Sequence, residues 1–359
     1  MREKSPYYQL SSLYLYLVDQ CNLSCRHCWI SPGFSQDRRD GIPLDYLKKT
    51  ILEAKALGLQ SVKLTGGEPL LYRDIYALLE FLAVEEINVI IETNGTLFNK
   101  SIIERLKSCK VEQISVSLDA GTPDLHDDLR GVKGSFHRTV AGLRLLSEYG
   151  FGFEIIMTIQ RKNRAEIPGL ISLCKDLGAG SLKINPLMPC GRGKEVFKDK
   201  QNLNPGELIQ LYRMVERECL SNKNNSIDII FDLPVALRSI TDIKKRGIIE
   251  CRILNILGIL ANGDFSICGI GQTIDELRMG NLYQDSIKDI WQDNRILADL
   301  RRDLPGRLKG ICGRCIFRFQ CLGSCRANAY AMTNDLFAPY FLCEESYESG
   351  LFPDSRASR

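Results

Sequence analysis

The sequence predicts an α/β protein: a partial (β/α)6 barrel of the TIM type, followed by a small irregular C-terminal domain rich in cysteine. Between about residues 13 and 185, short apolar or β-branched runs alternate with helical segments. This alternation is typical of parallel strands joined by right-handed crossovers. The alternation ends after residue 185, and the last hundred or so residues contain seven cysteines, from Cys251 to Cys343. Six strand–helix units are too few to close a full barrel, so we expect an open one.

The first helix illustrates how the elements are assigned. Leu44, Leu47, Ile51 and Ala54 recur three or four residues apart, which places them on one helical face, and Gly58 suits the helix end. The predicted strands are residues 13–18, 62–65, 89–92, 114–118, 153–159 and 182–185. The predicted helices of the barrel are residues 44–57, 75–81, 102–106, 136–146 and 165–177.

These elements divide the chain into four predicted segments. They are an N-terminal extension (1–12), the partial barrel (13–190), a bridging region (191–247) and the C-terminal domain (248–359). The bridging region contains one amphipathic helix, at 207–219, in an otherwise irregular stretch. In the C-terminal domain, the run GILANGDFSIC predicts a β-hairpin with Asn262-Gly263 as its two-residue turn.

Composition narrows the class of protein. The 359 residues include 47 basic and 44 acidic ones, a net charge of +3, which argues against a dedicated nucleic-acid binder. No run approaches the roughly 18 apolar residues of a membrane span, and no signal-peptide cleavage site follows the N-terminal apolar run. We therefore expect a cytoplasmic protein without membrane partners. Since thiols stay reduced there, its fourteen cysteines indicate metal binding or catalysis more than disulfides.

The first cysteine group is CNLSCRHC, with Cys21, Cys25 and Cys28 directly after the first predicted strand. Three thiolates in eight residues can hold one iron–sulfur cluster. One iron would then lack a protein ligand and remain open to a substrate or cofactor. Zinc would need a fourth ligand, and His27 lies between two of the cysteines, where it can hardly close the same tetrahedron.

Together with Gly66-Gly67-Glu68-Pro69 after the second strand, this group resembles the radical S-adenosylmethionine (SAM) superfamily. The resemblance implies that Cys21, Cys25 and Cys28 hold a four-iron four-sulfur cluster whose fourth iron is chelated by SAM. Reductive cleavage of SAM then yields a 5′-deoxyadenosyl radical that abstracts a substrate hydrogen. It also implies that residues 66–69 contact the SAM amino group, because glycines permit a close backbone approach and a carboxylate attracts an ammonium.

Further SAM contacts are implied at the ends of strands three and four and in the segment that follows strand four. They are Asn94 in ETNG, Ser117 in SVSLD, and Arg130 in HDDLRG. A purely structural alternative remains open: Asp119 caps the next turn, and Arg130 pairs on the surface with Asp127 or Asp128.

The second cysteine group resembles the SPASM extension of radical SAM enzymes, which holds two auxiliary four-iron four-sulfur clusters. The implied ligands are Cys251, Cys268 and Cys325 for the first auxiliary cluster, and Cys312, Cys315, Cys321 and Cys343 for the second. Some relatives carry one more cysteine about six residues after the first, but ILNILGI contains none here. The first auxiliary cluster then has an open iron or a non-cysteine ligand. A zinc ribbon is the alternative for this group.

Four cysteines remain. Cys109, Cys174 and Cys219 are assigned to helical positions and are expected to be small buried hydrophobes. Cys190 follows the sixth strand in NPLMPCGRG, near the barrel mouth. It is a candidate hydrogen-atom donor to a substrate radical, and the alternative is an ordinary loop cysteine.

Within this superfamily, segments such as SLYLYLVDQCNLSCRHCWISP resemble one subgroup, the radical SAM/SPASM proteins of the SynChlorMet-cassette type. This implies hydrogen abstraction from a ribosomally synthesised peptide, giving a cross-link or an epimerised residue. Because only about a dozen residues precede strand one, we expect a separate leader-binding protein or the C-terminal region to hold the peptide, with a reductant such as flavodoxin or ferredoxin. One alternative is oxidation or decarboxylation of a small cofactor precursor such as a porphyrin. The other is a non-enzymatic iron–sulfur or zinc scaffold.

Overall fold

A long, mostly parallel sheet dominates the computed structural model, which describes residues 8–37, 40–221, 227–248 and 251–358, the side chains of 218–221 excepted. The strands in these ranges are β1 (Ser12–Tyr16), β2 (Gln20–Cys21), β3 (Gly33–Phe34), β4 (Ser61–Thr65), β5 (Asn88–Thr93), β6 (Lys110–Ser117), β7 (Glu154–Ile159), β8 (Ser181–Pro186), β9 (Asp228–Phe231), β10 (Ile256–Ile259), β11 (Asp264–Ser266) and β12 (Arg278–Asn281). The main sheet has the order β12-β11-β10-β1-β4-β5-β6-β7-β8-β9.

Helices connect the parallel strands and continue into the C-terminal part. In the described ranges they are α1 (Leu44–Lys55), α2 (Ile75–Val84), α3 (Lys100–Leu106), α4 (Pro123–Arg130), α5 (Ser135–Glu148), α6 (Ile167–Asp176), α7 (Gly193–Lys198), α8 (Pro205–Ser221), α9 (Ile240–Arg246), α10 (Ile287–Asp293), α11 (Arg295–Asp303), α12 (Gly310–Arg314), α13 (Arg318–Cys321), α14 (Arg326–Thr333) and α15 (Phe341–Glu348). Helices α1, α2, α3 and α5 pack in succession, and α10 packs on α1. None of the described helices has the length and apolar content needed to cross a membrane.

The predicted fold class is confirmed. All six predicted strands are present as β1 and β4–β8, and each neighbouring pair is parallel. Their inward side chains form the core, with Leu13, Leu15, Val62 and Val89 completely buried. Apolar runs of this kind suit parallel strands, which are covered on both faces.

The sheet extends beyond these six strands at both edges. Strand β9 lies in the stretch expected to be irregular, and it pairs in parallel with β8. Strand β10 of the C-terminal hairpin pairs in parallel with β1, in the register Ser12↔Ile256. The C-terminal part is thus joined to the first strand of the barrel by backbone hydrogen bonds.

The hairpin itself differs from the prediction in its turn. Leu260 N–H donates to the Asp264 carbonyl (2.8 Å), so the connection has three residues, 261–263, and not two. Gly263 has φ +89°, which the left-handed position of a three-residue hairpin loop requires. The Asn-Gly pair marks the hairpin correctly but occupies the last two positions of a longer loop.

Candidate active site

An open cleft of about 1120 Å³ lies at the carboxyl ends of the parallel strands. The residues predicted for the cluster and SAM that line it are Cys21, Cys25, Cys28, Gly66, Gly67, Asn94, Ser117 and Arg130. These side chains come from separate strand ends, which a parallel sheet brings to one edge. Glu68 and Pro69 belong to the same predicted motif but do not line the cleft.

The cysteine loop and the glycine pair pack backbone against backbone. Glu68 N–H donates to the Gln20 carbonyl (2.9 Å), and Gly67 N–H donates to the Val18 carbonyl (2.9 Å). A Cβ on Gly67 would lie 1.8 Å from the Gln20 carbonyl oxygen, and Gly66 has φ +128°. Both glycines are therefore required to seat the loop that carries Cys21, independently of any ligand.

Glu68 is buried beneath the cleft, with 1% of its surface exposed. Its Oε1 accepts hydrogen bonds from Leu70 N–H (3.1 Å) and Thr93 Oγ1 (2.7 Å), and its Oε2 accepts one from Asn94 N–H (2.9 Å). Burial raises the pKa of Glu68 to about 7. The sequence suggested a carboxylate facing an ammonium, whereas both oxygens here hold the end of β5 in place.

Asn94 links that strand end to the cysteine loop. Its Nδ2 donates to Asn22 Oδ1 (2.8 Å) and lies 3.7 Å from Cys21 Sγ. Leu23 N–H also approaches the same sulfur, at 3.4 Å. Amide donors of this kind stabilise a thiolate, which is the form that binds iron.

A buried charge network supports the second cysteine. Asp119 is completely buried, and its Oδ2 lies 2.8 Å from Arg130 Nε and 3.3 Å from His27 Nε2. Arg130 Nη1 in turn lies 3.6 Å from Cys25 Sγ. Burial lowers the pKa of His27 to about 4, so this imidazole is neutral. Arg130 thus presents its positive charge to a cluster thiol.

The surface alternative for Arg130 is therefore wrong. Asp128 pairs with Arg26 and Lys162. Asp127 accepts hydrogen bonds from the start of α5, including Phe136 N–H at 2.8 Å. Sequence proximity suggested these partners, but Arg130 is the last residue of α4 and points inward, with 7% of its surface exposed.

Sequence reasoning did not assign Arg192, which also lines the cleft. Its Nε donates to the Cys25 carbonyl (2.8 Å) and its Nη1 to the Pro32 carbonyl (3.1 Å). Its Nη2 and the Nδ1 of His27 are buried without a hydrogen-bond partner among the described atoms. Such unpartnered polar atoms suit a polar cofactor in the cleft. The CGRG segment after the sixth strand was the available signal.

The cysteines predicted for the second auxiliary cluster converge. Cys312, Cys315, Cys321 and Cys343 line one small cavity. Tyr340 N–H donates to Cys312 Sγ (3.3 Å), and Phe317 N–H donates to Cys315 Sγ (3.4 Å). Four thiols, two of them with backbone donors, form a suitable iron–sulfur ligand set.

Arg326 gives an independent test of that fit. Its side chain is completely buried, and it donates to the carbonyls of Gly323, Leu336 (3.1 Å) and Ala338 (2.6 Å). Within the described ranges no carboxylate pairs with it, yet it lies within electrostatic range of the cysteine thiols. A buried guanidinium needs negative charge nearby. An anionic thiolate-bound cluster would supply that charge.

The three cysteines predicted for the first auxiliary cluster also approach one another. Cys251 is exposed, whereas Cys268 and Cys325 are half-buried. Each of the three thiols lies within electrostatic range of the other two. In the part of the chain described, no three His, Cys, Asp or Glu side chains surround a single-ion site.

The remaining cysteines have different surroundings. Cys174 is completely buried in α6, as expected. Cys109 is half-buried, but it lies in the turn between α3 and β6 and not in a helix. The side chain of Cys219 lies outside the described residues. Cys190 is buried, with 1% of its surface exposed.

Models of known protein families match the barrel and the C-terminal domain of this chain separately. A model of the radical SAM superfamily matches residues 15–174. The AdoMet-dependent heme synthase of Methanosarcina barkeri is 30% identical over 347 residues, which cover 92% of this chain and 94% of that protein. The chain belongs to the radical SAM superfamily. Membership implies SAM and four-iron four-sulfur chemistry, and it makes this chain an enzyme and not the non-enzymatic scaffold considered above.

This radical SAM enzyme also has a SPASM domain, because a model described as an iron-sulfur cluster-binding domain matches residues 251–316. The mycofactocin maturase MftC of Mycobacterium tuberculosis is 29% identical over 321 residues, covering 87% of this chain and 77% of that protein. The crystal structure of Streptococcus suis SuiB bound to precursor peptide SuiA aligns with a TM-score of 0.73 at 22% identity, covering 94% of this chain and 76% of that one. At that identity the structural likeness shows the fold alone.

Proposed function

We propose that this radical SAM enzyme abstracts hydrogen from a ribosomally synthesised peptide and gives a cross-linked or epimerised product. The observation that carries the proposal is the neutral lining of the cleft. Apart from the network residues and Glu92, whose carboxylate is paired with Lys63 at 2.6 Å, its wall consists of hydroxyl and amide groups and apolar side chains, such as Thr158, Asn185, Trp29, Ile156 and Met188. A wall of this composition suits a peptide backbone and an uncharged side chain.

The charge balance of the cleft also separates the two candidate substrate classes. Among the described residues that line it, the cationic side chains are Arg130 and Arg192. Arg130 is neutralised by Asp119, and Arg192 has one nitrogen, Nη2, left for a ligand. A porphyrin with several propionates would need more free cations, because buried carboxylates require partners.

One relative and one structure of the same fold are consistent with a peptide substrate. MftC is a maturase, and SuiB, which shares the fold, was crystallised with a precursor peptide. The heme synthase relative favours a second candidate, oxidation or decarboxylation of a porphyrin side chain, because its similarity extends over nearly its whole length. The neutral lining of the cleft is the reason for placing the peptide first.

In the proposed mechanism, the chain binds, orients and shields the reactants. Cys21, Cys25 and Cys28 would hold a four-iron four-sulfur cluster, which, when bound, supplies the electron that cleaves SAM into methionine and a 5′-deoxyadenosyl radical. Gly66 and Gly67, together with Asn94, Ser117 and Arg130, would position SAM, whereas Glu68 and Pro69, which do not line the cleft, would act only by holding the motif in place. Because the imidazole of His27 is neutral, the positive charge at this end of the cleft comes from Arg130 and Arg192.

We further propose three clusters in all, with Cys251, Cys268 and Cys325 at the first auxiliary cluster. Cys312, Cys315, Cys321 and Cys343 would hold the second. The barrel would occupy residues 13–190, the bridging region 191–247 and the SPASM domain 248–359. Anaerobically reconstituted protein should then contain about twelve irons per chain. A flavodoxin or ferredoxin would supply electrons, and a separate protein would bind the peptide leader.

The substrate test compares the two classes directly. Reconstituted enzyme with SAM and dithionite is incubated with short peptides encoded beside its own gene, or with a porphyrin that carries propionates. The proposal expects 5′-deoxyadenosine to form above background only with a peptide, whose mass falls by two hydrogens on cross-linking. For epimerisation, hydrogen is instead exchanged with solvent at unchanged connectivity. Loss of carbon dioxide from the porphyrin would select the second candidate.

A further inference from the structure

Cys190 occupies a fixed position between the SAM cleft and the C-terminal cysteines. It lies between β8 and α7, and its N–H donates to the Met188 carbonyl (2.9 Å). Arg192 N–H donates to the Cys28 carbonyl (2.9 Å), so the segment is bound to the first cysteine loop. A Cβ on Gly191 would lie 2.5 Å from the Trp29 carbonyl oxygen, which shows how closely the two backbones pack. Met188 and Arg192 line the cleft, whereas the Cys190 thiol does not.

The buried thiol of Cys190 lies near other cysteine thiols. It lies within electrostatic range of both Cys325 and Cys268, which in turn lie within range of each other and of Cys251. Four thiols from four distant positions in the chain therefore converge on one region. Cys174 is as deeply buried, but no charged or thiol group acts on it, so burial alone does not produce this neighbourhood.

We propose that Cys190 is the fourth protein ligand of the first auxiliary cluster, completing Cys251, Cys268 and Cys325. This rests on the proposed complement of three clusters. Iron–sulfur clusters are held by cysteine thiolates, and an iron left without one is open to solvent and easily lost. When the Cys190 sulfur binds iron, its proton leaves to solvent and no electron is transferred. The cysteine missing from the ILNILGI segment is thus supplied by the barrel.

Asp232 is the competing ligand. It lies within electrostatic range of Cys251 and Cys325, and its Oδ2 is 3.7 Å from Lys183 Nζ. Half of its side chain is exposed. A hard, solvated carboxylate that already has a cationic partner is a weaker ligand for this cluster than a buried thiolate.

A fully ligated cluster has consequences for the reaction. It leaves no open iron to bind substrate, so the first auxiliary cluster acts in electron transfer. Ligation also removes Cys190 from the candidates for hydrogen-atom donor. Since Arg192 is two residues away and lines the cleft, the segment connects the auxiliary cluster directly to the SAM site.

The test uses full-length, reconstituted protein in which Cys21, Cys25 and Cys28 are all replaced by Ala. This background removes the SAM cluster, which has an open iron of its own. It should retain about eight irons and give no three-iron EPR signal after mild ferricyanide oxidation. Adding Cys190→Ala should produce that signal and release about one iron per chain. Cys174→Ala, a matched buried cysteine, and Asp232→Asn should leave both readouts unchanged.

Each contrary outcome is distinct. A three-iron signal already in the background overturns the ligand assignment while the cluster count stands, and so does the absence of that signal in the Cys190→Ala variant. A signal produced by Asp232→Asn and not by Cys190→Ala assigns the ligand to the carboxylate. About four irons in the background overturns both the ligand assignment and the proposed three clusters.

Discussion

Replacement of Asp119 by Asn should destabilise the protein far more than any surface charge change. Asp119 is completely buried, and Arg130 is 7% exposed, so neither ion is well solvated. The amide keeps an acceptor for Thr158 N–H, which lies 2.9 Å from Oδ1 in the native protein. The substitution therefore changes charge while preserving shape, and it leaves the guanidinium of Arg130 uncompensated.

The size of the effect follows from that burial. Removing one member of a buried ion pair costs about 3–5 kcal/mol. If unfolding has an m-value of about 2–3 kcal/mol per molar urea, the midpoint of Asp119→Asn falls by about 1–2 M. Anaerobic urea unfolding of the cluster-free chain, followed by far-UV circular dichroism, measures this without interference from cluster loss.

Asp128→Asn is the matched control. Asp128 pairs with Arg26 at 2.6 Å, but the arginine side chain is 61% exposed, so this substitution should cost at most about 1 kcal/mol. Adding Arg130→Met to Asp119→Asn should recover part of the loss, because it removes the unpaired charge. Equal midpoints for the Asp119 and Asp128 variants would refute the reasoning.

Three further predictions test neighbouring features. Glu68→Gln should lower the free energy of unfolding by about 1–3 kcal/mol, because an amide cannot accept all three hydrogen bonds that the carboxylate accepts. The control Glu104→Gln, at an exposed position, should leave the free energy of unfolding unchanged. Burial lowers the pKa of His126 to about 4, below its ordinary value, so its protonation in the unfolded state should lower the free energy of unfolding by about 1.5 kcal/mol as pH falls from 6.5 to 5, beside a similar contribution from His27. His126→Asn should remove its share of that loss in urea titrations at each pH; an unchanged slope would contradict it. Gly67→Ala should reduce cluster loading, measured by iron content, and should lower the free energy of unfolding by about 1–3 kcal/mol. The control Gly169→Ala, in a helix with open space around the added Cβ, should not destabilise the protein.

The parts of the site that the sequence predicts are those encoded by local spacing. Cys21, Cys25 and Cys28 lie in one loop, and Gly66-Gly67 directly follows a strand, so their meeting at one sheet edge follows from the parallel topology. The fold class is predictable for the same reason, because strand and helix periods alternate along the chain.

The remaining features depend on contacts between distant segments. Arg130 has two aspartates close in sequence, but helix α4 directs it to Asp119 at the end of β6, which no local pattern indicates. Glu68 binds the end of the next strand, a contact that depends on strand order. Strand β9 is a four-residue segment, too short to be separated from its irregular surroundings by periodicity.

The parallel pairing of β10 with β1 also determines the order in which the molecule is completed. Ser12 pairs with Ser61 on one side and with Ile256 on the other. During synthesis the first pairing becomes available early, whereas the other edge of β1 stays unpaired until most of the chain has left the ribosome. Contacts between such distant residues form slowly, because a long loop must close first. The strand that leads into the cysteine loop thus receives its second neighbour only when a strand far along the chain has folded back onto it.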